Sequence, residues 1–217
     1  MMRGRFITFE GGEGSGKSTQ VALLAERLRM RGIEVVTTRE PGGSPGAEAM
    51  RLLLLSGVVK PLGPTAETMI FAAARDDHVQ TTILPALTGG EWVLCDRFID
   101  STRIYQGVLG NVDRRIIRAL ERATVGDVMP DLTFIMDVPV EVGFERVAGR
   151  GQVKDRFESE ETDFHVQLRE AFLDLARDEP ERCIVVDASQ TPERVASRIW
   201  LAVVDRLIKQ RTPRVAS

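Results

Sequence analysis

Short apolar runs recur near residues 5–9, 33–38, 92–95, 132–136 and 183–186, and the stretches between them repeat apolar positions every three or four residues. Phe6-Ile7-Thr8-Phe9, aromatic and β-branched, predicts a buried strand. Val21, Leu24, Ala25 and Leu28 predict a helix over Ser18 to Met30, with Gly32 as the glycine just past its end. Thr65 to Ala86 carries Met69, Ile70, Ala73 and further apolar residues at helical spacing, which predicts a long helix. Asn111 and Asp113 start another, with Ile116, Ile117 and Leu120 inward. Thr191-Pro192 opens the last helix, an N-cap followed by proline at the first helical position, and its inward face is Val195, Ile199, Ala202 and Val203. Strand–helix alternation of this kind predicts an α/β fold, a five-stranded parallel sheet with helices on both faces.

Composition narrows the picture. At 217 residues, 43% hydrophobic and 28% charged, the chain is expected to form one globular domain, with a frayed tail over about 211–217. Net charge is −3, so no global basic field points to nucleic acid, and cations have to act through local clusters. No apolar run approaches the ~18 residues of a membrane span, and the first strand starts too early to leave room for a signal peptide. Cys95 and Cys183 sit in strand-like runs and read as buried thiols in a reducing, cytoplasmic setting, not as a disulfide or metal pair.

The chemistry concentrates after the first strand. Gly11-Gly12-Glu13-Gly14-Ser15-Gly16-Lys17-Ser18 fits Gly-x-x-x-x-Gly-Lys-Ser/Thr between a strand and a helix, the context in which that pattern cradles phosphates. Glycines let backbone N–H groups turn inward, and the helix N-terminus adds partial positive charge. The segment from Gly11 to Thr19 is therefore the expected ATP-binding loop. Lys17 would neutralise the β- and γ-phosphates, and the Ser18 hydroxyl would ligate Mg²⁺. Asp96 ends the strand Trp92-Val93-Leu94-Cys95, where a carboxylate sits beside such a loop and can hold the same ion. No Asn-Lys-x-Asp is present, which argues against a GTPase. Gly149 to Arg156 carries Arg150, Lys154 and Arg156 between helical patterns. By charge alone it reads equally as a solvated loop or a mobile lid over about 149–160, and the phosphate loop favours the lid.

Further motifs carry a family resemblance over about residues 5–205. They are Phe9-Glu10-Gly11, Thr38-Arg39-Glu40-Pro41-Gly42-Gly43, Phe71-Ala72-Ala73-Ala74-Arg75, Asp96-Arg97-Phe98, Ser101-Thr102-Arg103-Ile104-Tyr105-Gln106-Gly107, Pro130-Asp131-Leu132-Thr133, Asp155-Arg156-Phe157-Glu158 and Asp187-Ala188-Ser189. In these the chain resembles the thymidylate kinases, bacterial nucleoside monophosphate kinases of three-layer architecture that transfer phosphate from ATP to dTMP in dTTP biosynthesis. The resemblance implies that Arg97 grips the dTMP phosphate with Arg39 beside it. It implies that Phe71 stacks on thymine, Arg75 reaches a thymine carbonyl and Thr102 hydrogen-bonds the base. Tyr105 would lie under the deoxyribose where a 2′-hydroxyl would go, Gln106 would border the substrate, and Glu13 would contact the 3′-hydroxyl. An acid in the phosphate loop together with basic lid residues implies that Arg150 or Arg156 serves the transition state, with Lys154 a weaker candidate. Arg103 reads either as solvent-facing or as part of the acceptor site. The resemblance also implies a homodimer formed through helix faces. Taken alone, a helical Phe such as Phe71 is most often core, and Pro41-Gly42-Gly43 is equally a plain turn. Another deoxynucleotide or nucleoside kinase, or a regulator that binds ATP without catalysis, are the alternatives. A second set of anion- and base-binding candidates argues against the regulator.

Overall fold

A computed structural model describes residues 3–149 and 161–209. Five parallel strands, β1 (Phe6–Glu10), β2 (Val35–Arg39), β3 (Trp92–Asp96), β4 (Leu132–Asp137) and β5 (Cys183–Asp187), form one sheet in the order β2-β3-β1-β4-β5. Successive side chains alternate between its faces. Ile7, Phe9, Trp92 and Leu94 pack under α1 (Lys17–Arg29) and α9 (Pro192–Val203) with Leu24, Leu28, Ile199 and Val203. Phe6, Val93 and Cys95 point the other way, onto Val79, Ile83, Leu87 and Phe98. Both faces are dry, which is why the strands read as continuous apolar runs. Fully buried side chains such as Phe134 and Leu94 each contribute about 2–3 kcal/mol. Both cysteines are free and buried, as expected.

β1 is the middle strand, flanked by β3 and β4, so the loop that follows it opens where the connections diverge to opposite sides of the sheet. That crevice, at the carboxyl ends of the strands, is where open α/β sheets bind ligands. Phe9 is in register with Asp96, which puts the end of β3 beside the start of the phosphate loop.

Three helical expectations change in detail. α1 closes at Met30, and Gly32, with φ +73°, lies one position beyond the expected glycine. The predicted Thr65–Ala86 helix is α3 (Pro64–His78), a π-helical turn (Val79–Ile83) and α4 (Leu84–Gly89). Met69 is 53% exposed, Ala73 is exposed and Ile70 is half-buried. The buried side carries Glu67, Thr68, Ala72, Arg75 and His78. The buried side of α3 is thus mixed, with polar side chains beside Ala72 and Ala74. On α6 (Arg114–Thr124), Ile117 is buried while Ile116 and Leu120 are half-buried. The helix meets α3 and the Arg103–Leu109 segment along a narrow stripe. The last helix follows expectation, with Val195, Ile199 and Val203 buried and Ala202 half-buried.

The remaining helices are α2 (Pro45–Ser56), α5 (Ile99–Thr102), α7 (Val140–Ala148) and α8 (Thr162–Asp178). α7 ends at Gly149 and α8 begins at Thr162, on either side of the expected lid. That lid, with Arg150, Lys154 and Arg156, and the tail over 211–217 lie outside the described residues.

Candidate active site

The phosphate loop runs from β1 into α1. Gly11 and Gly14 adopt φ +132° and +67°, and a Cβ on either would strike backbone, 2.6 Å from the Met136 carbonyl oxygen and 2.1 Å from that of Gly143. Glycine is required at both positions by conformation and by space. Lys17 follows, with only 7% of its surface exposed, and its Nζ donates to the carbonyls of Gly12 at 2.8 Å and Gly11 at 3.1 Å. Burial and the neighbouring Arg97 cation hold its ammonium below the ordinary lysine range.

β3 delivers the next groups. The Ser18 hydroxyl donates to Asp96 Oδ2 at 2.5 Å. One hydroxyl and one carboxylate facing each other beside a phosphate loop suit Mg²⁺, a hard cation that keeps several waters and takes few protein oxygens. Arg97 comes immediately after, in a left-handed backbone conformation at φ +68°, uncommon for a residue with a side chain. Its N–H is tied to the Phe9 carbonyl at 2.9 Å. Its Nη1 donates to the Gly11 carbonyl at 3.0 Å, its Nη2 pairs with Glu13, and its guanidinium lies 5.3 Å above the Tyr105 ring. Burial raises the Glu13 carboxyl, but Arg97 and Lys17 outweigh it and hold Glu13 below the usual carboxylate range. The Tyr105 hydroxyl is pushed up chiefly by burial, and donates to Glu13 Oε1 at 3.4 Å.

Glu10, at the end of β1, anchors this turn. Its Oε1 accepts the Phe98 N–H at 2.7 Å, and its Oε2 accepts the Ser101 hydroxyl at 2.6 Å. Burial, reinforced by the Asp100 carboxylate, pushes its pKa up to about 7.

α3 and the Thr102–Gln106 segment make the opposite wall. Arg75 is 3% exposed. Its Nε donates to Glu40 Oε2 at 2.8 Å and its Nη2 to Thr102 Oγ1 at 2.9 Å. Gln106 donates to Glu67 at 3.4 Å. Arg39 pairs with Glu48 at 2.9 Å, about half exposed.

These groups enclose a cavity of about 230 Å³. The predicted residues Glu13 to Ser18, Arg39, Phe71, Arg75, Asp96, Arg97, Thr102, Tyr105 and Gln106 all line it. Gly11 and Gly12 border instead a much smaller cavity with Asp137, His165 and Arg169. Thr19 is exposed on the first turn of α1 and lines neither. Arg103 belongs to neither of its two expected settings, since it is held by Glu121, by Asp100 at 3.1 Å and by Glu179 at 2.9 Å. Sequence reasoning passed over Glu40, Arg51 and Ser101 as individual lining residues, and Glu10 and His78 as supports. Glu10, Glu40 and Ser101 do stand inside the family motifs, and a carboxylate ending an otherwise apolar strand, as Glu10 does, is a signal worth following.

The whole-chain comparisons agree with one another. The family model described as thymidylate kinase matches residues 9–199. The chain belongs to the thymidylate kinase family. It is 60% identical over 208 residues to the thymidylate kinase of Bradyrhizobium diazoefficiens, covering 95% of this chain and 91% of that protein. It is 62% identical over 207 residues to that of Afipia carboxidovorans, covering 94% and 91%. The crystal structure of thymidylate kinase from Ehrlichia chaffeensis superposes with a TM-score of 0.74 at 36% identity, covering 93% of this chain and 98% of that one. Membership of the thymidylate kinase family makes the chain an ATP-using nucleotide kinase.

Proposed function

We propose that this enzyme transfers the γ-phosphate of ATP to dTMP, giving dTDP, and that the reaction takes place in the cavity spanned by Arg97. The observation that carries the reading is the position of Arg97. It stands between a phosphate loop and a wall that offers an aromatic ring (Phe71), a guanidinium (Arg75) and a hydroxyl (Thr102). A phosphate cradle at one end and a flat, hydrogen-bonding wall at the other suit a triphosphate donor and a pyrimidine monophosphate acceptor.

The acceptor phosphate, with a second pKa of about 6, is already largely dianionic at neutral pH, so no general base is required. The difficulty is bringing two anions together, and fixed cations and N–H donors offset the charge on the transferring group. Lys17 and the loop N–H groups hold the donor phosphates. Arg97, prealigned by Glu13 and by its own backbone, holds the acceptor phosphate with a fork that suits phosphate oxygens. Arg39 stands beside it. Glu13 meets the sugar 3′-hydroxyl, Tyr105 fills the space beneath the sugar, and Gln106 closes that end. Ser18 and Asp96 would hold Mg²⁺, which would offset negative charge on the donor phosphates. Arg150 and Arg156, outside the described residues, are assigned a share in offsetting that charge.

Two free, buried thiols support a cytoplasmic setting. Exposed apolar side chains crowd one stretch around α2 and α3, with Leu52 74% and Leu62 69% exposed. This supports a homodimer joined through those helices, which sedimentation velocity tests. The function itself is tested by mixing the protein with Mg-ATP and each nucleoside monophosphate in turn. Turnover is expected to be fastest with dTMP, and faster turnover of AMP, GMP or CMP would overturn the reading.

A further inference from the structure

Behind Arg75 lies a histidine that lines no part of the cavity. His78 has no exposed surface. Its Nδ1 lies 3.1 Å from Glu40 Oε1, and its Nε2 lies 2.7 Å from Thr38 Oγ1. Glu40, 7% exposed, also lies 2.8 Å from Arg75 through Oε2. A carboxylate held by a guanidinium can only accept hydrogen bonds, so the Nδ1 of His78 carries a proton, and Nε2 shares a hydrogen bond with the Thr38 hydroxyl. The ring thus links the end of β2 to α3 through both of its nitrogens.

A second observation points to the same unit. A Cβ at Gly43, which adopts φ +87°, would lie 2.3 Å from Thr38 Oγ1 and 2.4 Å from His78 Nε2. The Pro41–Gly43 turn therefore closes directly over the histidine, and the Thr82 hydroxyl secures its Gly43 carbonyl at 2.9 Å. The turn at the acceptor site and the guanidinium on its wall rest on one imidazole.

We propose that His78 is a positioning residue for recognition of the acceptor base. By donating from Nδ1 it fixes Glu40, and Glu40 fixes the guanidinium plane of Arg75. Glu40, Thr102 and the Phe98 carbonyl engage Nε and Nη2 of Arg75, and the remaining Nη1 is assigned to the acceptor base. This rests on the reading that Arg75 faces the pyrimidine of dTMP.

Three variants separate the bond to Glu40 from mere filling of space. In His78→Asn the side-chain amide nitrogen can take the place of Nδ1 and keep the bond to Glu40. In His78→Gln it reaches only the place of Nε2, and His78→Phe keeps the volume alone. KM for dTMP is expected to stay within about three-fold of the parent in His78→Asn and to rise about ten-fold in the other two, the size set by losing one hydrogen bond to a charged group. kcat at saturating dTMP and KM for ATP are expected to move less than about two-fold in all three. Equal KM increases in the Asn and Gln variants, or a loss confined to kcat, would overturn the proposal. If the variants fail to fold, nitrogen-15 NMR of the unaltered protein decides it: a proton on Nδ1 supports the proposal, and a proton on Nε2 alone overturns it. The parent's own preference for dTMP is a separate result, so a failed functional reading and a failed positioning role are told apart.

Discussion

Arg97, at the end of β3, pairs with Glu13 in the loop after β1, and its second amino nitrogen donates to the Gly11 carbonyl at 3.0 Å. An acid inside a phosphate loop would repel phosphate if it stood alone. Paired with Arg97 it becomes the counter-charge that aims the guanidinium, while the left-handed backbone at Arg97 fixes where the side chain starts. Arg97→Lys keeps the charge but loses the fork, and one ammonium cannot satisfy Gly11, Glu13 and a phosphate together. We expect a fall in kcat of at least about 10²-fold with the melting temperature nearly unchanged, and about 10³-fold or more for Arg97→Ala and for Lys17→Ala. Coupled steady-state assays beside thermal melts check this, and near-parental rates would sink the charge-offset mechanism.

Glu10 makes a prediction of opposite character, about pH and stability. Its carboxyl titrates at about 7 in the folded protein against 4.5 in the ordinary state, because folding buries it beside Asp100. Below 4.5 it is protonated folded or unfolded. Between 4.5 and about 7 the folded state keeps a proton that the unfolded chain has released, so stability falls as pH rises through this window and levels off above it. The slope from this one group is at most about 1.4 kcal/mol per pH unit. Glu10→Gln should lack that contribution. Denaturant unfolding at several pH values across the window measures it, and equal slopes in parent and variant would count against the buried carboxyl as its source.

What was legible in the sequence, and what was not, follows from how far apart the contributing residues stand. The phosphate loop from Gly11 to Ser18 is one continuous segment flanked by its own strand and helix, so spacing alone exposes it. The sheet is legible because burial on both faces leaves unbroken apolar runs. The acceptor wall is different. Arg75 meets Glu40 across 35 positions and His78 meets Glu40 across 38, and no periodicity links them. α3 is also mixed: its buried side carries Glu67, Arg75 and His78 beside Ala72 and Ala74, whereas Met69 faces outward, so apolar spacing alone does not mark the face it buries. The family resemblance located Phe71 and Arg75 there, and only the folded chain shows what holds them.

Gly143 on α7 gives a test of how tightly the phosphate loop is backed. A Cβ there would lie 2.6 Å from the Glu13 carbonyl oxygen, a backbone atom that cannot move without dragging the loop. Gly143→Ala should therefore raise KM for ATP and lower kcat together, each by about ten-fold, because misplacement of the loop by a fraction of an ångström already weakens catalysis. Gly89→Ala, whose nearest neighbour is the end of the Glu91 side chain at 3.9 Å, is the matched control and should behave as the parent. Kinetics for both substrates decide the point, and a silent Gly143→Ala would show that the loop has slack that these contacts deny.

Tyr105 lines the cavity, and its burial bears on the proposed role in sugar discrimination. The ring packs between the Arg97 guanidinium at 5.3 Å and the aromatic rings of Phe164 and Phe172, at 6.1 and 6.4 Å. Its hydroxyl stays protonated, because burial holds its pKa above the ordinary tyrosine value. A rigid, neutral ring fixed on both sides cannot yield to an added 2′-hydroxyl, nor does it offer a carboxylate that would welcome one. Removing the ring leaves room for that hydroxyl and for water to solvate it. Tyr105→Ala should therefore lose activity on dTMP while losing less on 5-methyluridine monophosphate, narrowing the ratio of their kcat/KM values by about ten-fold, the range that steric exclusion in a pocket achieves. Competition assays with the two acceptors in one mixture read that ratio directly. An unchanged ratio would take sugar discrimination away from Tyr105 and leave it as the support on which Arg97 lies.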